Sequence, residues 1–344
     1  MISDQSTNTN KPLVYISVLN WNGADNTIRC LESLEHLDYP NCRILVVDNA
    51  SMDDSVARIQ AAFPDIEIIC SPENLGYAGG NRLALDRAMQ DGAELFWILN
   101  NDAIAKPDAL MELVKAYQYH GLAIYGSVVL KPDEQNLVAF GGGYQLDING
   151  RPRATGKYNS LRDQPYDKCF SHQHDRTVGA VNGSSLMIPI RLVEKYGFMD
   201  DVFFMNVEEV DYCFRLGRRG VPSIIVPKSI IVHMWGGSYR HSSLLSCVMH
   251  YYLQRNQLIF IRRWEGRLAF VKQLYGYFRN SWRFQVMAII FPRKAWIRDP
   301  RAYMARRAVL DAILNRMGKR FAPEDYLVEI PRKSDANSSH SLSH

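Results

Sequence analysis

From Leu13 to Leu130 short apolar runs alternate with segments of helical period, and this alternation constrains the chain more than any other feature. Leu13–Leu19, Arg43–Val47, Ile66–Cys70 and Leu95–Leu99 are the strand candidates. Between them, Thr27–Leu37 sets Ile28, Leu31 and Leu34 on one face, and Asp53–Phe63 does the same with Val56, Ile59 and Phe63. Asp25 or Asn26 is placed to cap the first helix, and Ser51 the second. The pattern predicts an α/β fold, with a mostly parallel sheet flanked by helices. Ligands of such sheets bind beyond the carboxyl ends of the strands. Polar motifs follow those ends here: Asn20-Trp21-Asn22-Gly23, Asp48-Asn49 and Asn100-Asn101-Asp102.

Further along, Gly141-Gly142-Gly143 marks a turn or hairpin, and the polar, aperiodic stretch Asn149–Arg176 reads as a mobile loop beside an acceptor site. Order returns over Val178–Ile190, with short helices near Arg191–Tyr196 and Val207–Arg218 and a last buried strand at Ser223–Val226. From Ser243 to Phe321 aromatic, aliphatic and basic residues recur at helical spacing, with interruptions at Pro292 and Pro300. The expected division is a lead-in over 1–11, a catalytic domain over 12–242, a helical C-terminal extension over 243–330 and a disordered tail over 331–344.

A formal net charge of +4 is too small to indicate nucleic-acid binding, although Arg and Lys crowd the chain after Arg255. Six cysteines lie far apart, without the close pairs of a zinc or redox motif, and fit reduced residues of a cytoplasmic protein. Met1–Lys11 lacks the basic and apolar regions of a signal peptide. No apolar run reaches the roughly 18 to 20 residues that span a bilayer; the best, Val286–Phe291, is far shorter. Any membrane contact is expected to be peripheral.

Five segments carry candidate chemistry. Asp48, in Asp48-Asn49-Ala50-Ser51-Met52-Asp53, can accept the imide N–H of uracil or thymine, or with Ser51 it can simply cap the next helix. The glycines of Asn74-Leu75-Gly76-Tyr77-Ala78-Gly79-Gly80-Asn81 permit close backbone approach to a ligand, or only a loop-to-helix turn. Asp102 follows a buried strand and offers a hard oxygen ligand for Mg²⁺ or Mn²⁺; a cap before Pro107 explains it less well, because Ala103–Lys106 intervene. Glu208, Glu209 and Asp211 open a helix, where the dipole favours acids. Asp211 and Arg215, at i and i+4, read first as an ion pair, and at most one of Glu208 and Glu209 is expected to face a cleft. The aromatic residues before them would raise a carboxylate's pKa and suit it to base chemistry. His233, before Trp235-Gly236-Gly237, is either structural or the imidazole that completes a metal site with Asp102.

Taken in order, these segments resemble the family 2 inverting glycosyltransferases, particularly bacterial rhamnosyltransferase-like members of cell-surface polysaccharide synthesis, over about Leu13–Arg255. The resemblance implies a GT-A fold and a dTDP- or UDP-sugar donor, with dTDP-rhamnose the first expectation, and a glycan or lipid-linked acceptor. It makes Asp48 the base-recognition acid, Asp102 and His233 the metal ligands and Glu209 the general base. Asn20, Asn22, Asn49, Asn74, Gly76, Asn81 and Asn101 become donor-side residues, and Glu208, Asp211 and Trp235 acceptor-side residues. Many relatives have Glu-Asp where this chain has Glu208-Glu209, and Asp where it has Asn100 and Asn101. The aromatic and basic C-terminal segment resembles one that seats such enzymes on the inner face of the cell membrane; packing on the catalytic domain, or a homo-oligomer contact, competes with it. Two other classes are weighed. A sugar nucleotidyltransferase should open on a glycine-rich basic loop, whereas Ser17–Gly23 has one glycine and no Arg or Lys. A non-catalytic nucleotide- or glycan-binding module would release no nucleoside diphosphate.

Overall fold

The computed structural model describes residues 11–132, 136–154, 161–234, 243–277 and 299–326. The first half alternates as the pattern predicts: β1 (Val14–Asn20), α1 (Ala24–Leu34), β2 (Cys42–Asp48), α2 (Ser55–Ala62), β3 (Glu67–Cys70), α3 (Gly76–Gln90) and β4 (Leu95–Asn100). β1 pairs in parallel with both β2 and β4, and β2 in parallel with β3. The strands of this group are apolar because helices cover both faces: Val14, Ile16, Val18, Val46, Val47 and Trp97 are wholly buried. The helix starts differ from expectation. Gly23 and Asp54 occupy the N-cap positions and make no side-chain cap bond. Ser51 is instead turned back toward Asp48.

After β4 come β5 (Ala103–Ala105), α4 (Ala109–His120), β6 (Ile124–Leu130) and β7 (Val138–Phe140). The expected loop over Asn149–Arg176 holds more structure than its composition implies: β8 (Gln145–Leu146) pairs with β9 (Pro152–Arg153), and a helical turn, α5, covers Tyr166–Cys169. Then follow β10 (Arg176–Val178), β11 (Ser185–Pro189), α6 (Ile190–Tyr196), α7 (Glu208–Gly217) and β12 (Ser223–His233). The sheet order is β10-β12-β6-β11-β4-β1-β2-β3, with β5 added to β12 and β7 to β6. β11 is antiparallel to both neighbours, β4 and β6, so the six strands β3, β2, β1, β4, β6 and β12 share one direction. β12 runs far past the predicted Val226. Its register against β6 shifts between Val226 and Ile230, where Pro227 has no N–H to give a ladder, and pairing then resumes.

The C-terminal residues form α8 (Ser243–Trp264), a helical stretch over 266–277 and α9 (Pro300–Ile313). They share the core of the sheet: Leu258, Ile259, Phe260 and Val309 belong to the same buried cluster as β1 and β4. A smaller cluster joins Val248, Tyr251, Tyr252 and Met304 to Phe204 and Met205, just before α7. No helix among the described residues is long and apolar enough to cross a membrane. The lead-in over 1–10, Trp235, the apolar run Val286–Phe291 and the tail lie outside the described residues.

Candidate active site

A cavity of about 630 Å³ opens at the carboxyl edge of the sheet. Its lining includes Trp21, Asn49, Asn74, Gly76, Asn101 and Asp102, from the segments after β1, β2, β3 and β4, together with Glu208 and Glu209 at the start of α7. His233 reaches it from the end of β12.

The β5–β12 ladder explains how two residues 131 apart in the chain meet. Ala103 is opposite His233, and the Met234 N–H donates to the Asp102 carbonyl at 2.9 Å. That register sets His233 Nε2 2.7 Å from Asp102 Oδ1, both side chains nearly buried at 9% and 12% exposure. Asn100 Nδ2 is a further 3.4 Å neighbour of the same ring nitrogen. A carboxylate oxygen beside an imidazole nitrogen is a donor set that fits Mg²⁺ or Mn²⁺, with remaining positions for phosphate oxygens and water. The described residues contain no group of three or more His, Cys, Asp or Glu side chains placed to hold a metal.

Beneath the cavity lies a hydrogen-bonded floor. Asp48, 3% exposed, accepts from Asn20 Nδ2 at 2.8 Å and Ser51 Oγ at 2.6 Å on one oxygen, and from the Ser51 N–H at 2.9 Å on the other. A carboxylate has about four acceptor positions, so one remains on Oδ2. Thr27 Oγ1 donates to Asn20 Oδ1 and receives Asn101 Nδ2, which links β1 to the loop carrying Asp102. Asn22 receives the Met52 N–H and ties the first loop to the second. Asn49 and Asn74 bond side chain to side chain at 3.0 Å, and their oxygens take the Leu75 and Gly76 N–H groups. Neither Asn20, Asn22 nor Asp48 lines the cavity; they fix the residues that do. Asn81 corrects its expected role more sharply. It is wholly buried, accepts from Ser17 and donates to the Tyr77 carbonyl, so it braces α3 against β1 and is not presented to a ligand.

The α7 side is built differently. Phe204, Asn206 and Val207 all have positive φ, at 68°, 66° and 80°. For residues with a Cβ, and above all for β-branched Val207, this costs about 1–3 kcal/mol each and persists only where the surroundings impose it. The turn delivers both acids to the cavity, contrary to the expectation that helix geometry would admit only one. Glu208 is 3% exposed, and its Oε2 has no hydrogen-bond partner among the described residues. Burial, then the neighbouring Glu209, pushes the Glu208 carboxyl well above its ordinary range. Glu209 is half-buried; burial raises it as well, opposed by nearby backbone N–H groups including that of Gly183. Gly183 also leaves room for Tyr77, whose hydroxyl donates to the Gly183 carbonyl.

Asp211 does not pair with Arg215 and does not reach the cavity. Its carboxylate, buried to 1%, takes Arg263 Nη1 at 2.8 Å, and its other oxygen takes Trp264 Nε1 at 2.8 Å, which pins α7 to α8. Arg215 instead donates to the Tyr196 and Phe198 carbonyls. Residues that the sequence reading overlooked also line the cavity, notably Asn182, Gly183 and Ser184 before β11, and Ser246 and Met249 on α8. The polar triplet 182–184, set between apolar Val178–Val181 and Leu186–Ile190, was the available signal for the first group.

Comparison with known proteins agrees with this architecture. Residues 14–171 match the model of the Glycosyl transferase family 2. The low-salt glycan biosynthesis hexosyltransferase Agl10 of Haloferax volcanii is 28% identical over 182 residues, 52% of this chain and 54% of that protein; the chain thus spans about half of this relative's length. The dTDP-rhamnosyl transferase RfbF of Shigella flexneri is 21% identical over 258 residues, 73% of this chain and 80% of that one. Among solved structures, GalNAc-T7, crystallised with UDP, GalNAc and Mn²⁺, superposes with a TM-score of 0.55 at 14% identity, covering 74% of this chain and 48% of that one, a likeness of GT-A fold. The sheet order, the acid-lined cavity at the sheet edge and the sequence match over residues 14–171 all resemble the family 2 glycosyltransferases.

Proposed function

We propose that the protein transfers a sugar, rhamnose from dTDP-rhamnose in the first instance and a UDP-linked sugar in the second, to a hydroxyl of a cell-surface glycan or lipid-linked acceptor, with inversion. One observation carries the reading: Asp102 with His233 and Glu208 with Glu209 line the same cavity. Asp102 and His233 would hold Mg²⁺ or Mn²⁺, which when bound neutralises charge on the departing nucleoside diphosphate. Asp48 stays behind the lining and holds the loop of Asn49 in place, and the Asn49–Asn74 pair shapes the wall against which the nucleotide would lie.

Glu209 is the base. Its carboxylate takes the proton of the acceptor hydroxyl as that oxygen bonds to the anomeric carbon, while the bond from that carbon to the diphosphate oxygen breaks on the opposite face. The raised carboxyl of Glu209 suits it to hold that proton. Tyr77 and Met205 narrow the cavity around it and exclude water that would otherwise compete as acceptor.

Peripheral attachment to an anionic membrane face is part of the proposal. In the helical stretch 266–277 Leu268, Val271 and Tyr275 are exposed at 88%, 58% and 67%, and Arg267 and Lys272 are also exposed there. Apolar anchors among cations suit a lipid interface. The deciding assay incubates the purified protein with a panel of dTDP- and UDP-sugars, with Mn²⁺, with Mg²⁺ and with EDTA. Expected is release of dTDP from dTDP-rhamnose that EDTA abolishes, and a product of inverted anomeric configuration by NMR. Absence of release with every sugar nucleotide would leave a binding module.

A further inference from the structure

The α8 residues Arg255 and Asn256 are polar, wholly buried and not among the residues that line the cavity. The Asn256 side-chain amide faces three carbonyls of the turn before α7: Phe203 at 2.9 Å, Met205 at 2.8 Å and Asn206 at 2.8 Å. Two N–H bonds serve three acceptors, so the carbonyls must converge, and the positive φ values at 204, 206 and 207 are what converge them. Asn256 Oδ1 in turn accepts from Arg255 Nε at 2.9 Å, which leaves the amide one orientation. The Arg255 guanidinium also donates to the Phe203 carbonyl at 2.9 Å and the Gly318 carbonyl at 2.8 Å, and lies over the rings of Tyr251 and Tyr252. Among the described residues it has no carboxylate partner. Burying a guanidinium without a carboxylate partner is costly.

We propose that Asn256, oriented by Arg255, is a positioning residue that clamps the Phe203–Val207 turn and thereby sets Glu208 and Glu209 in the cavity. The same turn carries the donor loop: the Phe204 carbonyl receives the Tyr77 N–H at 2.8 Å at the start of α3. The clamp therefore fixes the base against the donor-side loop, and the C-terminal helix becomes part of the catalytic apparatus without touching substrate.

The inference rests on Glu209 as base, and its test keeps the two claims separate. Asn256→Asp preserves shape but replaces a carbonyl-facing donor with an acceptor. Its kcat, with whichever dTDP- or UDP-sugar the wild type turns over, should fall by about 10²-fold, as expected for misplacement of a catalytic group by roughly 1 Å. Donor KM and the Kd for dTDP with Mn²⁺ should stay within about threefold, since the Asn49–Asn74 floor is intact. Hydrogen exchange should accelerate at the amides of 204–209 and stay unchanged in β1 and β2. Arg255→Lys, which keeps the charge and loses the fork, should show the same split at about 10-fold, and serves if Asn256→Asp does not fold. Wild-type kcat and exchange in both variants would overturn the clamp, as would equal losses of kcat and dTDP affinity. Glu209→Gln, assayed beside them, isolates the base assignment: full turnover there defeats the chemistry but leaves the exchange result to judge the clamp.

Discussion

The donor-side loops and the turn that presents Glu208 and Glu209 meet at one cavity, and they treat their buried carboxylates differently. On the donor side the Asp48 carboxylate is engaged through both oxygens, in a chain of hydrogen bonds with Asn20, Thr27 and Asn101, and Asn49 bonds to Asn74; strain is present there too, since Asn22 and Ala50 take positive φ and Asn22 Nδ2 has no partner among the described residues. On the α7 side, three residues with side chains sit at positive φ, and a buried glutamate oxygen has no partner among the described residues. On the proposed function the first side binds and the second reacts: the bonded Asp48 holds the donor-side loops in place, whereas desolvation gives Glu208 and Glu209 the raised carboxyls that a base requires.

Glu209→Gln strikes the reactive side hardest. Turnover should drop by about 10² to 10⁴, the usual worth of a positioned base, while the Kd for dTDP with Mn²⁺ is unchanged in calorimetry. In the wild type, kcat should fall with decreasing pH through a value above the ordinary 4.5, because burial raises Glu209 and the base is lost once it is protonated. A variant that loses nucleotide affinity in step with rate would erase the division between the two sides. Gly76→Ala comes next. Gly76 has φ +73°, and a Cβ there would lie 2.0 Å from the Phe204 carbonyl oxygen, so either the donor loop or the strained turn must move. Unfavourable φ plus displaced backbone should cost about 2–4 kcal/mol in urea unfolding and lower kcat as well. A harmless Gly76→Ala would show that the two sides are not in register.

These two variants also mark what the sequence made legible. The four strands of the first half were readable because helices cover both faces and force continuous apolar runs, as at Leu95–Leu99. The floor was readable from residue types at strand ends, and so was the meeting of Asp102 with His233, although the ladder that causes it was not: β5 is three residues long, and Pro227 conceals the continuity of β12. Asn81 was misjudged because a polar side chain on a glycine-rich loop looks like a ligand contact until its burial is known. Asp211 was misjudged for a different reason. Spacing rules see the local Arg215, while the true partners, Arg263 and Trp264, are 52 and 53 residues on. Arg255 and Asn256 carried no signal at all, since a polar pair in an amphipathic helix reads as its solvent face.

Asp211→Ala tests that correction at the third level of effect. Loss of the carboxylate leaves Trp264 Nε1 without its acceptor and Arg263 with only the longer contact to Asp200, and should cost about 1–3 kcal/mol of stability by thermal unfolding. Turnover per folded molecule should stay within about threefold of wild type, because Asp211 anchors α7 to α8 from outside the cavity. A rate loss as large as that of Glu209→Gln would return Asp211 to the reactive side.

Glu208→Gln has the smallest expected effect and the most specific sign. Burial, and next the neighbouring Glu209, raises the Glu208 carboxyl above its unfolded value of 4.5, so the folded state holds that proton more tightly than the unfolded chain does. The resulting stability is fully present below about pH 4.5 and is lost as pH climbs through the raised folded value. At pH above that raised folded value the wild type carries a penalised charge that glutamine lacks, and Glu208→Gln should be more stable there by about 0.5–2 kcal/mol. The advantage should shrink steadily as thermal unfolding is repeated toward about pH 5. Destabilisation at alkaline pH, or a gain that ignores pH, would mean that the Glu208 carboxylate is satisfied after all, and its contrast with Asp48, bonded through both oxygens, would be lost.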